Sequence, residues 1–290
     1  MKRIYSLPTI ALLASFLLTN FLANGQKLFT VNVTGKGQPM ILIHGLFCSG
    51  EVWKETVEHY QNAYECHVIT LAGFGGNAPA LSDHFLESMK DEVITYVKDK
   101  KLKNPIIMGH SMGGFLSLWA AASAPDLFQK VIAVDGIPFL SVLANPSATP
   151  DNMKPMALNM KNSMAGQTPE QIKTNQQRIL QSMITSPERI SQVAEIASKA
   201  DSPTQGEVMY EMFTTDLRPT VAAIQSPVLV MGQWAAYKSY GATHDGSVAA
   251  YQAQVANVKH ATVAINDTAK HFIFYDEPAW FFLTVDNFLK

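Results

Sequence analysis

From position 28 onward the chain alternates short, nearly pure apolar runs with longer amphipathic stretches. The apolar runs are Leu28–Thr34, Met40–His44, His67–Leu71, Ile106–Gly109, Val131–Asp135, Val228–Gly232 and Thr262–Asn266. Most are Val/Ile/Leu-rich with little alternation, as strands buried on both faces read. Helices fit between them at Glu51–Tyr60, Phe85–Lys100, Met112–Ala122 and Ser247–Val255, with a last at Pro278–Leu289. Pro278 at a first-turn position, behind Asp276 and Glu277, suits a helix start. This alternation predicts an α/β fold, a mostly parallel central sheet with helices on both faces.

The rhythm breaks between about Phe139 and Ala222. Ser, Pro, Thr and Asn cluster at Asn145–Asp151, and helical-looking stretches follow without a strand. Seven of the 13 methionines lie here: Met153, Met156, Met160, Met164, Met183, Met209 and Met212. Residues 139–222 therefore read as a helical cap inserted into a core of residues 26–138 and 223–290. Unbranched methionines adapt to irregular apolar shapes, which suits the roof of a pocket as well as ordinary cap packing.

The first 25 residues read as a signal peptide. Lys2 and Arg3 form a positive head, an apolar stretch runs from about Ile10 to Leu22, and Ala23-Asn24-Gly25 offers small residues for cleavage before Gln26. This predicts export to the periplasm or beyond, with no stable membrane association after cleavage. Only Cys48 and Cys66 are present. They fall at opposite ends of neighbouring strands, roughly 20 Å apart for a six-residue strand, whereas a disulfide needs Cα atoms within about 7 Å. Two buried free thiols are expected. With 22 Lys and Arg against 24 Asp and Glu, and no basic run, the footprint of a nucleic-acid binder is missing.

The candidate chemistry centres on Gly109-His110-Ser111-Met112-Gly113, with Gly114 behind it. The pentapeptide fits G-x-S-x-G and stands after an apolar strand and before a helix-forming run. A sharp strand-to-helix turn there leaves no room for flanking side chains and lifts the Ser111 hydroxyl above the sheet, at the positive end of the helix. Acyl transfer also needs two N–H donors for a developing oxyanion. Met112, directly after the serine, supplies one; the loop after His44-Gly45 supplies the other, with Leu46 first choice and Phe47 second. His44 and His110 read as structural.

Taken together, His44-Gly45, Gly73-Phe74-Gly75 and Gly109-His110-Ser111-Met112-Gly113-Gly114 resemble the α/β-hydrolase superfamily over essentially the whole mature chain. The resemblance implies a hydrolase of a small-molecule substrate, with Ser111 as nucleophile and a base on the loop after the last strand. His271 lies on that loop, whereas His260 precedes the strand. His59, His67, His84 and His244 read as surface or loop residues. Relatives with an aspartate nucleophile are disfavoured by Ser111.

The third member departs from the family's common pattern, which puts an Asp shortly after the penultimate strand. Here that strand leads into Gln233-Trp234-Ala235-Ala236. Asp135, at the end of an earlier strand, is the leading alternative, as in some superfamily members. Asp245 is a second, and Asp216 has a local partner in Arg218. A capping role for Asp135 in the Gly136–Pro138 turn is a serious rival. The expected pocket is lined by Phe47, Phe74, Trp234 and cap methionines, and would take a modest, largely apolar ester with no metal and no cofactor. Two other readings stand beside it. One is a prolyl-aminopeptidase-like enzyme that anchors an amine on Glu207 and Glu211, although a solvated helix face explains those residues more simply. The other is a binding protein that kept the fold and lost the chemistry.

Overall fold

A computed structural model describes residues 28–143 and 145–290. The predicted signal peptide lies outside the described residues. All seven apolar runs form strands: β1 (Phe29–Gly35), β2 (Gln38–Ile43), β3 (Tyr64–Leu71), β4 (Ile106–His110), β5 (Lys130–Val134), β6 (Val228–Gln233) and β7 (Ala261–Asn266). They make one sheet in the order β1-β3-β2-β4-β5-β6-β7. Only β1 runs antiparallel, pairing β3 along the sheet edge from Phe29↔Leu71 to Gly35↔Glu65.

The helices are α1 (Lys54–Tyr60), α2 (Phe85–Asp99), α3 (Met112–Ser123), α4 (Pro150–Ala165), α5 (Pro169–Ile179), α6 (Pro187–Ser198), α7 (Ser202–Thr214), α8 (His244–Gln254), α9 (Ile273–Asp276) and α10 (Pro278–Leu289). Two apolar clusters cover the sheet. One joins Ile41, Ile43 and Ile107 to Met89, Val93 and Phe115. The other joins Met40, Leu42 and Met108 to Trp53, Phe274 and Phe281. Because successive residues of β2 and β4 point to opposite clusters, a continuous apolar run is what such strands require.

Between β5 and β6 the chain forms α4 to α7 and short 3-10 turns, with no strand among the described residues. Each of these helices opens on a capping side chain: Thr149, Thr168, Ser186 and Asp201 each accept a backbone N–H of the first turn. A proline follows at the first or second position in every case, where a missing N–H costs nothing. The stretch read as helix from Glu51 begins instead as a 3-10 turn at Gly50–Trp53 before α1. No helix among the described residues is long and apolar enough to cross a membrane. Cys48 and Cys66 are both buried and free, and burial pushes their thiols up to about 12 and about 11.

The sheet order positions the site. β2 is flanked by β3 on one side and β4 on the other, so the chain reverses its direction across the sheet at that point. In open α/β sheets the crevice outside the carboxyl ends of the strands at such a reversal is left uncovered by connections, and ligands bind there. The loop after β2 and the turn after β4 both open into it.

Candidate active site

Ser111 is the residue between β4 and α3, with φ 54° and ψ −116°. Five described non-glycine residues have positive φ, and three of them, Phe47, Ser111 and Asp135, border one cavity. Left-handed backbone is costly for side-chain-bearing residues and persists only where the surroundings hold it. The surroundings here are close-packed main chain. A Cβ on Gly113 would stand 2.1 Å from the Ile43 carbonyl oxygen, and one on Gly136 would stand 2.7 Å from Gly114 Cα and the Ser111 carbonyl oxygen. The Ser111 N–H donates to the Val134 carbonyl at 2.9 Å, which ties the turn to the end of β5.

Asp135 directly follows β5, and its own N–H donates to the Met231 carbonyl at 2.8 Å. Its side chain is buried, and Oδ2 lies 2.6 Å from His271 Nδ1. The second oxygen, Oδ1, accepts the Tyr251 hydroxyl. Asp245, by contrast, is an exposed residue of the first turn of α8 whose carboxylate faces His244. Asp216 is held by Arg218. The carboxylate within hydrogen-bond reach of His271 is therefore that of Asp135.

His271 stands between β7 and α9. Its carbonyl oxygen lies 3.1 Å from His110 Nε2, and the two imidazoles pack at 4.6 Å between centroids. Burial, then the neighbouring His271, lowers the His110 pKa well below the ordinary range and keeps that ring neutral. His44 is buried as well. Its Nε2 accepts the Leu71 N–H at 3.1 Å and its Nδ1 faces the Gly45 carbonyl at 2.7 Å, which fixes the loop after β2. Burial lowers its pKa to about 4. His44 thus fixes a loop beside the cavity, whereas His110 lines the cavity and holds the His271 backbone. Among the described residues no three His, Cys, Asp or Glu side chains group as a metal site.

The cavity has a volume of about 620 Å³. Ser111, Asp135, His271, Leu46 and Phe47 border it from the core; Leu140, Leu180, Met183, Met209 and Met212 border it from the cap. Met112 opens α3 beside Ser111, where first-turn N–H groups have no intrahelical acceptor. The other polar lining residues of the cap are Gln176 and Ser182, and the Ser182 hydroxyl is engaged by the Ile179 carbonyl.

A family model for the alpha/beta hydrolase fold matches residues 38–278. The chain belongs to the alpha/beta hydrolase fold family. The curated relatives of this hydrolase-fold chain include a pimeloyl-(acyl-carrier protein) methyl ester esterase from Aliivibrio salmonicida, 33% identical over 104 residues, covering 36% of this chain and 38% of that protein. They also include an (E)-2-((N-methylformamido)methylene)succinate hydrolase from Acinetobacter baylyi, 26% identical over 103 residues, covering 36% of this chain and 39% of that protein. The chain spans about two fifths of the length of the curated relatives it matches. Among solved structures, an enol-lactonase from Burkholderia xenovorans LB400 superposes with a TM-score of 0.72 at 17% identity, covering 90% of this chain and 96% of that one. An esterase from Exiguobacterium antarcticum superposes with a TM-score of 0.72 at 18% identity, covering 90% and 94%. At these identities the superpositions show the fold alone.

Four expectations need correction. Phe74 does not line the cavity. It is fully buried beneath it, with its ring against those of His44 and Phe85. Trp234 also lies off the cavity, because its Nε1–H donates to Asp267 Oδ1 at 3.1 Å and Lys238 sits over its ring. In their place the structure brings Tyr237, Tyr240 and Tyr251, from the segment after β6. Glu207 and Glu211 are not a solvated face. Glu207 pairs with Lys161, and Glu211 accepts the Phe85 and Leu86 N–H groups at 2.6 and 3.0 Å, closing the amino end of α2. His67 is not a surface residue: it is buried within β3 between Glu65 and Tyr96. Of the seven cap methionines, Met183, Met209 and Met212 reach the cavity, whereas Met153 and Met160 pack in a separate cluster with Phe139.

Proposed function

We propose that this protein is a serine hydrolase that cleaves the ester of a small, neutral, largely apolar substrate through an acyl-enzyme. The observation that carries this reading is the buried Asp135–His271 contact bordering the same cavity as Ser111. Asp135 accepts the Nδ1 proton of His271 and so leaves Nε2 as the basic nitrogen. Nε2 takes the Ser111 hydroxyl proton as Oγ bonds to the acyl carbon. The carbonyl oxygen becomes an oxyanion, met by the N–H groups of Met112 and Leu46. Collapse expels the alcohol, which receives the proton from His271. A water then gives a proton to His271, attacks the acyl carbon and releases the acid, returning the proton to Ser111.

The substrate class follows from the cavity walls. They carry no Lys or Arg among the described residues, so a dianionic succinate such as the A. baylyi relative's name describes would bring its charges out of water without a partner. Leu, Met, Ile and Phe side chains suit an apolar acyl or alcohol group, and the Gln176 carboxamide suits one neutral polar group beyond the ester. The aminopeptidase alternative loses its anchor, since both candidate carboxylates are engaged in the fold away from the cavity.

A series of p-nitrophenyl esters tests the reading. Turnover of short to medium acyl chains is expected, with Ser111→Ala lowering kcat by about 10⁴-fold or more. A fluorophosphonate probe should label Ser111. Unchanged turnover by Ser111→Ala would remove the serine mechanism. We also propose that the enzyme acts outside the cytoplasm after loss of residues 1–25. The support for this is the sequence pattern alone, and amino-terminal sequencing of exported protein should then begin at Gln26.

A further inference from the structure

We propose that Tyr251 is a positioning residue of the triad, anchoring Asp135 so that one carboxylate oxygen stays aimed at His271. The proposal rests on the triad reading above. Tyr251 comes from α8, 116 residues from Asp135 in sequence, and it is 7% exposed. Its hydroxyl donates to Asp135 Oδ1 while Oδ2 takes His271 Nδ1, so the two oxygens of one carboxylate are bound from opposite directions.

The terminal torsion of an aspartate is broad and nearly two-fold, so a carboxylate held through one oxygen can swing or exchange its oxygens. A second anchor removes that freedom. A phenol suits the task because it satisfies a buried carboxylate without neutralising it. The negative charge remains available to the imidazolium that forms when His271 takes the serine proton, whereas a lysine or arginine would compete for it.

The neighbouring backbone makes room for this ring. A Cβ on Gly232, in β6, would lie 2.6 Å from Cε1 and Cζ of Tyr251. The strand end that in the common pattern would lead to the acid has a glycine at the level of the tyrosine ring. Gln233 follows, its side-chain oxygen accepting the Ala236 N–H at 3.1 Å. The acid has thus moved to β5, and the space by β6 holds the group that orients it. The ionisable groups facing the pair are Tyr251 and Tyr237 on the β6 side and His110 on the nucleophile side. Burial first, then the Asp135 charge, raises the Tyr251 pKa well above the ordinary phenol range, so it is a proton donor throughout the working range.

Tyr251→Phe, which removes only the hydroxyl, tests the proposal on the full-length enzyme with p-nitrophenyl esters. The expected result is about a tenfold fall in kcat with KM changed less than about twofold, the size of one hydrogen bond to a charged group. The acid limb of the kcat/KM profile should also move to higher pH, because a carboxylate with one donor fewer stabilises the imidazolium more strongly. Gly232→Ala, which keeps the hydroxyl but displaces the ring, should change kcat and the limb in the same direction. In an Asp135→Asn background, Tyr251→Phe should add little further loss. Unchanged kcat and limb in Tyr251→Phe, an effect confined to KM, or a pH-independent loss that tracks a lowered Tm would each overturn the proposal. Full activity in Asp135→Asn would instead overturn the triad reading and, with it, this proposal.

Discussion

In the core, Ser111 and Asp135 sit at strand ends on left-handed backbone, with glycines pressed against neighbouring main chain. In the cap, α5 and α6 open on capped, proline-started first turns, expose much of their polar surface, and send only scattered side chains such as Gln176 and Val193 inward. Both regions border one cavity, yet they contribute differently to it. The core holds Ser111 and Asp135 in positions its backbone cannot change without strain. The cap supplies adaptable surface whose side chains can change while the fold persists. On the proposed serine-hydrolase reading, a site divided in this way separates chemistry from selectivity, and mutations on the two sides should fall into different measurements.

The largest effect should come from the core. Gly113→Ala places a Cβ against the Ile43 carbonyl, and since neither backbone can yield, a loss above about 4 kcal/mol is expected. Circular dichroism and soluble yield would show it, and a folded, active Gly113→Ala would break the comparison. On the cap side, Gln176→Leu should keep Tm within about 2 °C while lowering about tenfold the preference for an ester bearing a neutral hydroxyl over its apolar isostere, the cost of one lost hydrogen bond. An equal loss of kcat on both esters would mean that the cap takes part in the chemistry.

The seam between the regions carries a pH signal. Burial pushes the Glu211 carboxyl up to about 8, outweighing the Phe85 and Leu86 N–H groups that favour its charge. A carboxyl whose folded value is raised contributes stability that is complete below its unfolded value, and that contribution is lost as pH rises through the folded value. Unfolding midpoints in urea should therefore fall between about pH 4.5 and 8, starting from the ordinary value of 4.5. Glu211→Gln should flatten that slope; a slope unchanged in the variant would show that other groups set it. The smallest effect is expected from Thr168→Ala, which removes a cap side chain of α5 and should cost about 1 kcal/mol or less with kcat unchanged.

Much of the fold was legible because its signals are local. Apolar runs without alternation located all seven strands, and Gly109 to Gly114 located the turn. The antiparallel direction of β1 was not legible, since an apolar run carries no direction. The cap helices left a readable mark, a Ser, Thr or Asp cap followed by proline, that was missed among the surrounding polar residues. The pocket walls were less legible. Phe74 looked like a wall residue because it adjoins a glycine-rich turn, but the turn points its ring inward. Tyr237 and Tyr251 carried no motif at all.

What the sequence determined by itself is the seven strands, the core helices between them and the turn at Ser111, because helix and strand periodicity and glycine sterics act within a few positions. Ser111 was singled out in this way, by its glycine-flanked place between strand and helix, whereas His271 was singled out by the family resemblance, which implies a base on the loop after the last strand. The partner of His271 was decided by tertiary structure. Asp135 and Tyr251 meet across 116 residues, and Asp135 and His271 across 136, because β5, β6 and β7 lie side by side in parallel register. That register brings three strand ends to one edge, and only there do side-chain reach and burial select Asp135 over Asp245.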